Sequence, residues 1–110
     1  IVGEQDDDGY TVHAIDWEMA ALRPAAMDLA SLLAGRWTDE ARETIARAYY
    51  EARGGGARPQ EWRHFLTTLD CCLLHLAVRN LGWSRHWSPP PDRDHDWLGD
   101  AMRLCCKWNL

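Results

Sequence analysis

Residues 13–20 read His-Ala-Ile-Asp-Trp-Glu-Met-Ala, two acids flanking a tryptophan at the end of an apolar run. A carboxylate at such a strand end is either a loop residue in water or a ligand for something, and what surrounds it decides which. The other chemistry-bearing residues are less suggestive. Four cysteines stand as two adjacent pairs, Cys71-Cys72 and Cys105-Cys106, whereas zinc sites usually separate paired cysteines by two to four residues. Neighbouring residues on a helix point about 100° apart, so the expected role of these thiols is that of small buried hydrophobes. His64 and His75 lie roughly 16 Å apart by helical rise and are expected as surface or hydrogen-bonded side chains. Gly54-Gly55-Gly56 follows a helical pattern and lacks the Lys-Ser/Thr continuation of a phosphate loop.

The elements that must position Asp16 and Glu18 are a hairpin and a set of helices. Residues 1–4 and 10–15 read as strands, with Asp8-Gly9 as the tight-turn signal between them. A helix is predicted from near Pro24 to about Gly35, opened by proline at its first turn. Thr38 is the next N-cap, with Asp39 and Glu40 placed to favour the helix dipole. That helix carries Ala41, Ile45, Ala48, Tyr49 and Ala52 on one stripe and stops at the glycines. Pro59 opens the longest helix, to about Leu81. One of its faces holds Trp62, Phe65, Leu66, Leu69, Cys72, Leu73 and Leu76, and a second stripe holds Cys71, Leu74, Val78 and Leu81. A helix apolar on two sides is normally packed from both. Ser88-Pro89-Pro90-Pro91 breaks the chain, and a last helix is predicted from near Asp92, with Trp97, Leu98, Ala101, Leu104, Cys105 and Trp108 on one face.

The chain has 110 residues, 46% apolar and 26% charged, with a formal net charge of −5. That composition describes one folded domain with a modest core. The acidic balance argues against a general nucleic-acid partner, which calls for a basic face. No apolar run is long enough to span a bilayer and no signal peptide is recognisable, so no membrane association and a cytoplasmic location are expected.

The stretch from Val12 to Leu33 resembles the aminoglycoside phosphotransferase and choline kinase group, small-molecule kinases with a protein-kinase-like fold. Ile15-Asp16-Trp17-Glu18 and Asp28-Leu29-Ala30 match that family's motifs in type, order and separation. Residues 74–83 (LHLAVRNLGW) and 89–104 (PPPDRDHDWLGDAMRL) resemble the C-terminal helices of its bacterial members. The resemblance implies a mainly α fold with a short N-terminal β-hairpin, the C-terminal part of a protein-kinase-like α+β fold. Residues 1–110 would then be a single portion of the kinase-like C-lobe. Its parts would be a hairpin over 1–16, ending at the metal-binding Asp16, and a helical subdomain over 24–110.

The resemblance also assigns roles. Asp16 is the counterpart of the aspartate in the kinase Asp-Phe-Gly element, a Mg²⁺ ligand at the phosphates of ATP or GTP. Phosphoryl transfer depends chiefly on such positioning and charge neutralisation. Glu18 faces the nucleotide, the metal or the acceptor, or is a surface residue. Asp28 opens a helix beneath the catalytic loop and hydrogen-bonds its backbone; from the sequence alone it is a first-turn acid favoured by the dipole. Asp92, Asp94, Asp96 and Asp100 suit a polycationic acceptor, or a solvated helix start. The expected partners are a nucleotide and a small molecule with an acceptor hydroxyl.

The pattern is broken in places. Arg23-Pro24-Ala25 stands where many members have Gly-Asp-Pro, and Met27 where an aromatic often precedes Asp-Leu-Ala. The family's catalytic loop, His-Gly-Asp followed by Asn, would end just before Ile1, so no catalytic base is expected among these residues. The function implied is the C-terminal part of a small-molecule phosphotransferase, inactive alone and prone to self-association through unburied apolar surface. The alternative is a non-catalytic helical interaction module descended from that fold.

Overall fold

A computed structural model describes residues 2–6, 9–13, 15, 22–35, 37–83, 88, 90–91 and 94–110. The chain opens with antiparallel strands β1 (Val2–Asp6) and β2 (Gly9–His13), paired in register from Val2 opposite His13 to Asp6 opposite Gly9. The predicted Asp8-Gly9 turn falls in part on Asp8, and residues 7 and 8 lie outside those described. Gly9, at φ 136°, opens β2 in a conformation that side chains other than hydrogen rarely adopt. All five residues of β2 are exposed, Tyr10 and Val12 among them.

Four helices follow: α1 (Ala26–Leu33), α2 (Asp39–Ala52), α3 (Pro59–Trp83) and α4 (Trp97–Lys107). The mainly α architecture expected from the sequence is what the chain adopts, and the local signals explain most boundaries. Thr38 caps α2, its hydroxyl accepting from the Ala41 amide at 3.1 Å. Gly54, at φ 76°, ends that helix in the left-handed region. Pro59 opens α3, where its missing amide proton is no loss. The start of α4 departs from expectation: Asp96, not a residue near Asp92, is its cap, accepting from the Gly99 amide at 2.8 Å. The C-terminal end of α1 is satisfied from outside. The Trp37 indole donates to the Leu32 carbonyl at 3.0 Å, and Arg42 donates to that of Gly35 at 2.8 Å.

The core forms where α1 lies on α3. Ala26, Met27, Leu29, Ala30 and Leu33 close against Leu69, Cys72 and Leu76, with Ala46 of α2 beside them. Met27 fills this core at the position where an aromatic was expected. Helix α4 also packs against α3, with Ala101 and Leu104 buried. Lys107 of α4 forms an ion pair with Asp70 of α3.

Three facial predictions need correction. On α2 the buried residues are Ala46 and Tyr50, while Ala48 and Ala52 are exposed. Tyr50 turns the helix, because its ring meets Trp62 and Phe65 at centroid distances of 5.1 Å each and buries far more area than an alanine. On α3 the first stripe is inward as expected, but in the second only Leu74 and Leu81 are half-buried; Cys71 and Val78 are exposed. Among the cysteines only Cys72 is buried; Cys71 and Cys106 are exposed and Cys105 is intermediate, all as free thiols. Among the described residues no helix is long and apolar enough to cross a membrane.

Candidate functional site

Of the residues singled out for chemistry, Asp16 and Glu18 lie outside those described. Their surroundings are partly visible: β2 ends at His13, and Ile15 and Leu22, before and after the motif, are both exposed.

Asp28 is the third residue of α1, in its first turn, where the helix dipole favours negative charge. It is exposed and, among the described residues, has no hydrogen-bond or ion-pair partner. Helical spacing explains its direction. Ala26, Met27, Leu29, Ala30 and Leu33 face the core, which leaves Asp28, Ser31 and Leu32 as one outward stripe. Ser31 bonds back to the Met27 carbonyl at 3.0 Å, and Leu32 is 42% exposed. An acid on this stripe has its backbone held by a helix whose other side is anchored in the core, and its carboxylate is open to an outside partner.

The N-terminal end of α1 is tied down by α2. Tyr49 donates its hydroxyl to the Ala25 carbonyl at 2.9 Å, across 24 residues of sequence. Arg53 donates to the same hydroxyl oxygen at 3.2 Å. Sequence reasoning placed Tyr49 only on an apolar stripe and missed this contact; a paired Tyr49-Tyr50 was the sole signal, one ring packing inward and the other reaching sideways.

The acidic run before α4 resolves into separate duties. Asp96 is the helix cap. Asp100 accepts from His95 at 2.7 Å and from Arg103 at 3.1 Å. Burial pushes the Asp100 carboxyl up, but the hydrogen bonds and charges of His95 and Arg103 outweigh it and hold it below the ordinary carboxylate range. Asp96 and Asp100 are therefore already engaged within the chain, Asp94 has an interaction partner as well, and Asp92 lies outside the described residues. His64 and His75 are both exposed, and among the described residues no three His, Cys, Asp or Glu side chains converge to hold a metal.

An open cleft between the end of α2 and the start of α3 is lined by Tyr50, Arg53, Gly54, Gly55, Gly56, Glu61 and Phe65. Here Gly55 abuts the Tyr50 ring so closely that a Cβ would overlap its edge atoms. The glycines thus serve packing and a helix stop, not phosphate binding.

Residues 6–65 match the model of the phosphotransferase enzyme family. That span takes in β2, α1 and α2 and holds both Ile15-Asp16-Trp17-Glu18 and Asp28-Leu29-Ala30. No curated protein and no solved structure matches the chain. With more than half of its residues covered by that match, the chain belongs to the phosphotransferase enzyme family.

Proposed function

We propose that this chain supplies the metal-binding and part of the acceptor-binding portion of an ATP- or GTP-dependent small-molecule kinase. The observation that carries the reading is the family match over residues 6–65, a span that contains Asp16 and Asp28. Asp16 is the Mg²⁺ ligand. Its carboxylate has the hard oxygen donors this ion takes, usually one or two carboxylates alongside phosphate oxygens and water. Mg²⁺ there would neutralise charge on the transferring phosphates. Glu18, two residues on, faces the nucleotide, the metal or the acceptor. Asp28 holds the catalytic-loop backbone from its outward place on α1. The helices from residue 24 onward form the subdomain that contributes to the acceptor site.

The chain is incomplete for this reaction by itself. It contains no His-Gly-Asp element, so the base and a second metal ligand come from elsewhere in the enzyme. Its exposed surface is 8714 Å², against about 6200 Å² for a compact domain of this mass. Its radius of gyration is 15.6 Å, against about 13 Å expected. Exposed Tyr10, Val12, Ile15 and Leu22 lie on and just after the hairpin, and a two-stranded hairpin is at best marginal without a partner.

The test is Asp16→Ala and Asp16→Asn in the complete enzyme. Both abolish phosphoryl transfer while circular dichroism stays unchanged. Near-normal turnover by a folded variant at ordinary Mg²⁺ would falsify the assignment. Residues 1–110 alone are expected to transfer no phosphate and to bind Mg²⁺–ATP at about millimolar affinity or weaker, because the phosphates lack their other holders. Micromolar affinity in titration calorimetry would show a complete nucleotide site and overturn the reading.

A further inference from the structure

Helix α1 begins without a cap of its own. Ala25 at the N-cap has no side-chain acceptor and sits in right-handed helical backbone, φ −58° and ψ −25°, where Ser, Thr, Asp or Asn would ordinarily hold the first turn. Locally the Met27 amide donates to the Pro24 carbonyl at 2.8 Å, and a further contact comes from another helix, the Tyr49 hydroxyl donating to the Ala25 carbonyl.

That hydroxyl is itself oriented. Arg53, the C-cap residue just past α2, donates to the phenolic oxygen. A guanidinium has no acceptor, so the single phenolic proton is directed to Ala25. The Tyr49 ring stacks on Phe65 of α3 with centroids 6.2 Å apart. A phenylalanine would serve that packing equally well. The hydroxyl adds something different: it ties the start of α1 to α2, helices that otherwise touch lightly.

Asp28 stands three residues beyond Ala25, on the outward stripe. We propose that Tyr49, oriented by Arg53, is a positioning residue for phosphoryl transfer. It sets the start of α1 and thereby where Asp28 meets the catalytic-loop backbone. The inference rests on the kinase reading above and adds to it a residue that touches no substrate. A displacement of about 1 Å remote from the chemistry can cost roughly 100-fold in rate, and the loss of one hydrogen bond at an otherwise packed site falls below that limit.

The experiment is a double-mutant cycle in the complete enzyme with Tyr49→Phe and Asp28→Asn, following kcat and the nucleotide KM separately. Tyr49→Phe is expected to lower kcat roughly 5- to 30-fold with nucleotide KM changed less than about twofold. On the Asp28→Asn background the further loss is expected to vanish, because both residues act through one contact. Unchanged kcat in folded Tyr49→Phe overturns the proposal, and so do losses that multiply independently on the two backgrounds. If Tyr49→Phe fails to fold, Arg53→Met provides the second reading: it removes the donor that aims the phenol and is expected to lower kcat in the same direction, with unchanged kcat again overturning the idea. Asp16→Asn is assayed alongside. Activity surviving Asp16→Asn refutes the kinase reading itself, whereas activity lost there but unaffected at Tyr49 refutes only the positioning role.

Discussion

Gly55→Ala tests the packing between α2 and α3 with one added methyl group. Gly55 does not share the positive φ of Gly54, so its requirement is space and not backbone freedom. The new Cβ would overlap the edge of the Tyr50 ring. Tyr50 is only 9% exposed, held between Trp62 and Phe65 at 5.1 Å each, with its hydroxyl donating to the Gly56 carbonyl at 3.2 Å. Two responses are open. The ring stays and the surroundings strain, at about 1–3 kcal/mol for an overpacked site. Or the ring leaves, forfeiting two aromatic pairs at about 0.5–1.5 kcal/mol each and a hydrogen bond worth about 1 kcal/mol. The molecule takes the less costly route, near 2 kcal/mol, offset by roughly 0.4–1 kcal/mol of lost unfolded-state freedom. The net destabilisation expected is about 1–2 kcal/mol, a drop on the order of 0.5–1 M in urea midpoint by far-UV circular dichroism. Gly54→Ala should cost a similar amount for a different reason, its left-handed backbone. Repeating both on a Tyr50→Leu background separates them: the Gly55→Ala penalty disappears with the ring and the Gly54→Ala penalty stays. A Gly55→Ala penalty indifferent to Tyr50, or no penalty at all, refutes the close approach.

Other expectations follow from the polar contacts. Because Asp100 is held below the ordinary carboxylate range when folded, it binds fewer protons in the native state than in the unfolded one as pH falls through that range. Its contribution to stability is therefore present above the usual carboxylate pKa and lost on acidification; Asp100→Asn should flatten the acid limb of the stability profile, and an unchanged limb would count against the pairing with His95 and Arg103. Alkylation followed by mass spectrometry should label Cys71 and Cys106 first and leave Cys72 unlabelled until unfolding, since burial pushes its thiol up and Cys71 beside it adds to the rise; early labelling of Cys72 would contradict its place in the core. Asp28→Ala in residues 1–110 alone should change stability by no more than the helix-dipole contribution, roughly 0.3–1 kcal/mol, and in the complete enzyme by more, roughly 1.5–3 kcal/mol for a bond to charged carboxylate. Equal effects in both settings would mean that Asp28 gains no partner.

Where the sequence carried a local signal, the elements were legible. Thr38 and Pro59 marked helix starts and Gly54 a helix stop because each acts through its own backbone. The single strong apolar face of α3 was legible too, since leucines and aromatics at helical spacing leave one way to pack. The finer faces were not. On α2 the alanines counted as heavily as the tyrosines in a periodicity argument, although one aromatic ring outweighs several methyl groups once packed. The α4 start was misplaced because four aspartates stand close together and only backbone geometry decides that Asp96 is the cap. Of the candidate site, family membership was legible, through the motif from Asp16 to Asp28. The tie from Tyr49 to Ala25 was not, because a contact across 24 residues leaves no mark in local spacing.

The family match stops at residue 65, near the end of the second turn of a helix that continues to Trp83. Ala30 and Leu33 lean on Leu69, Cys72 and Leu76, all supplied by the stretch past that point. Trimming the protein where the likeness ends would saw through a continuous rod and remove the wall that supports α1. The same arrangement bears on ancestry. The downstream half answers to the upstream half only through bulk and apolarity at successive turns, a demand that many letters satisfy. Kinship can fade from the spelling of that half while the packing it inherited stays in place.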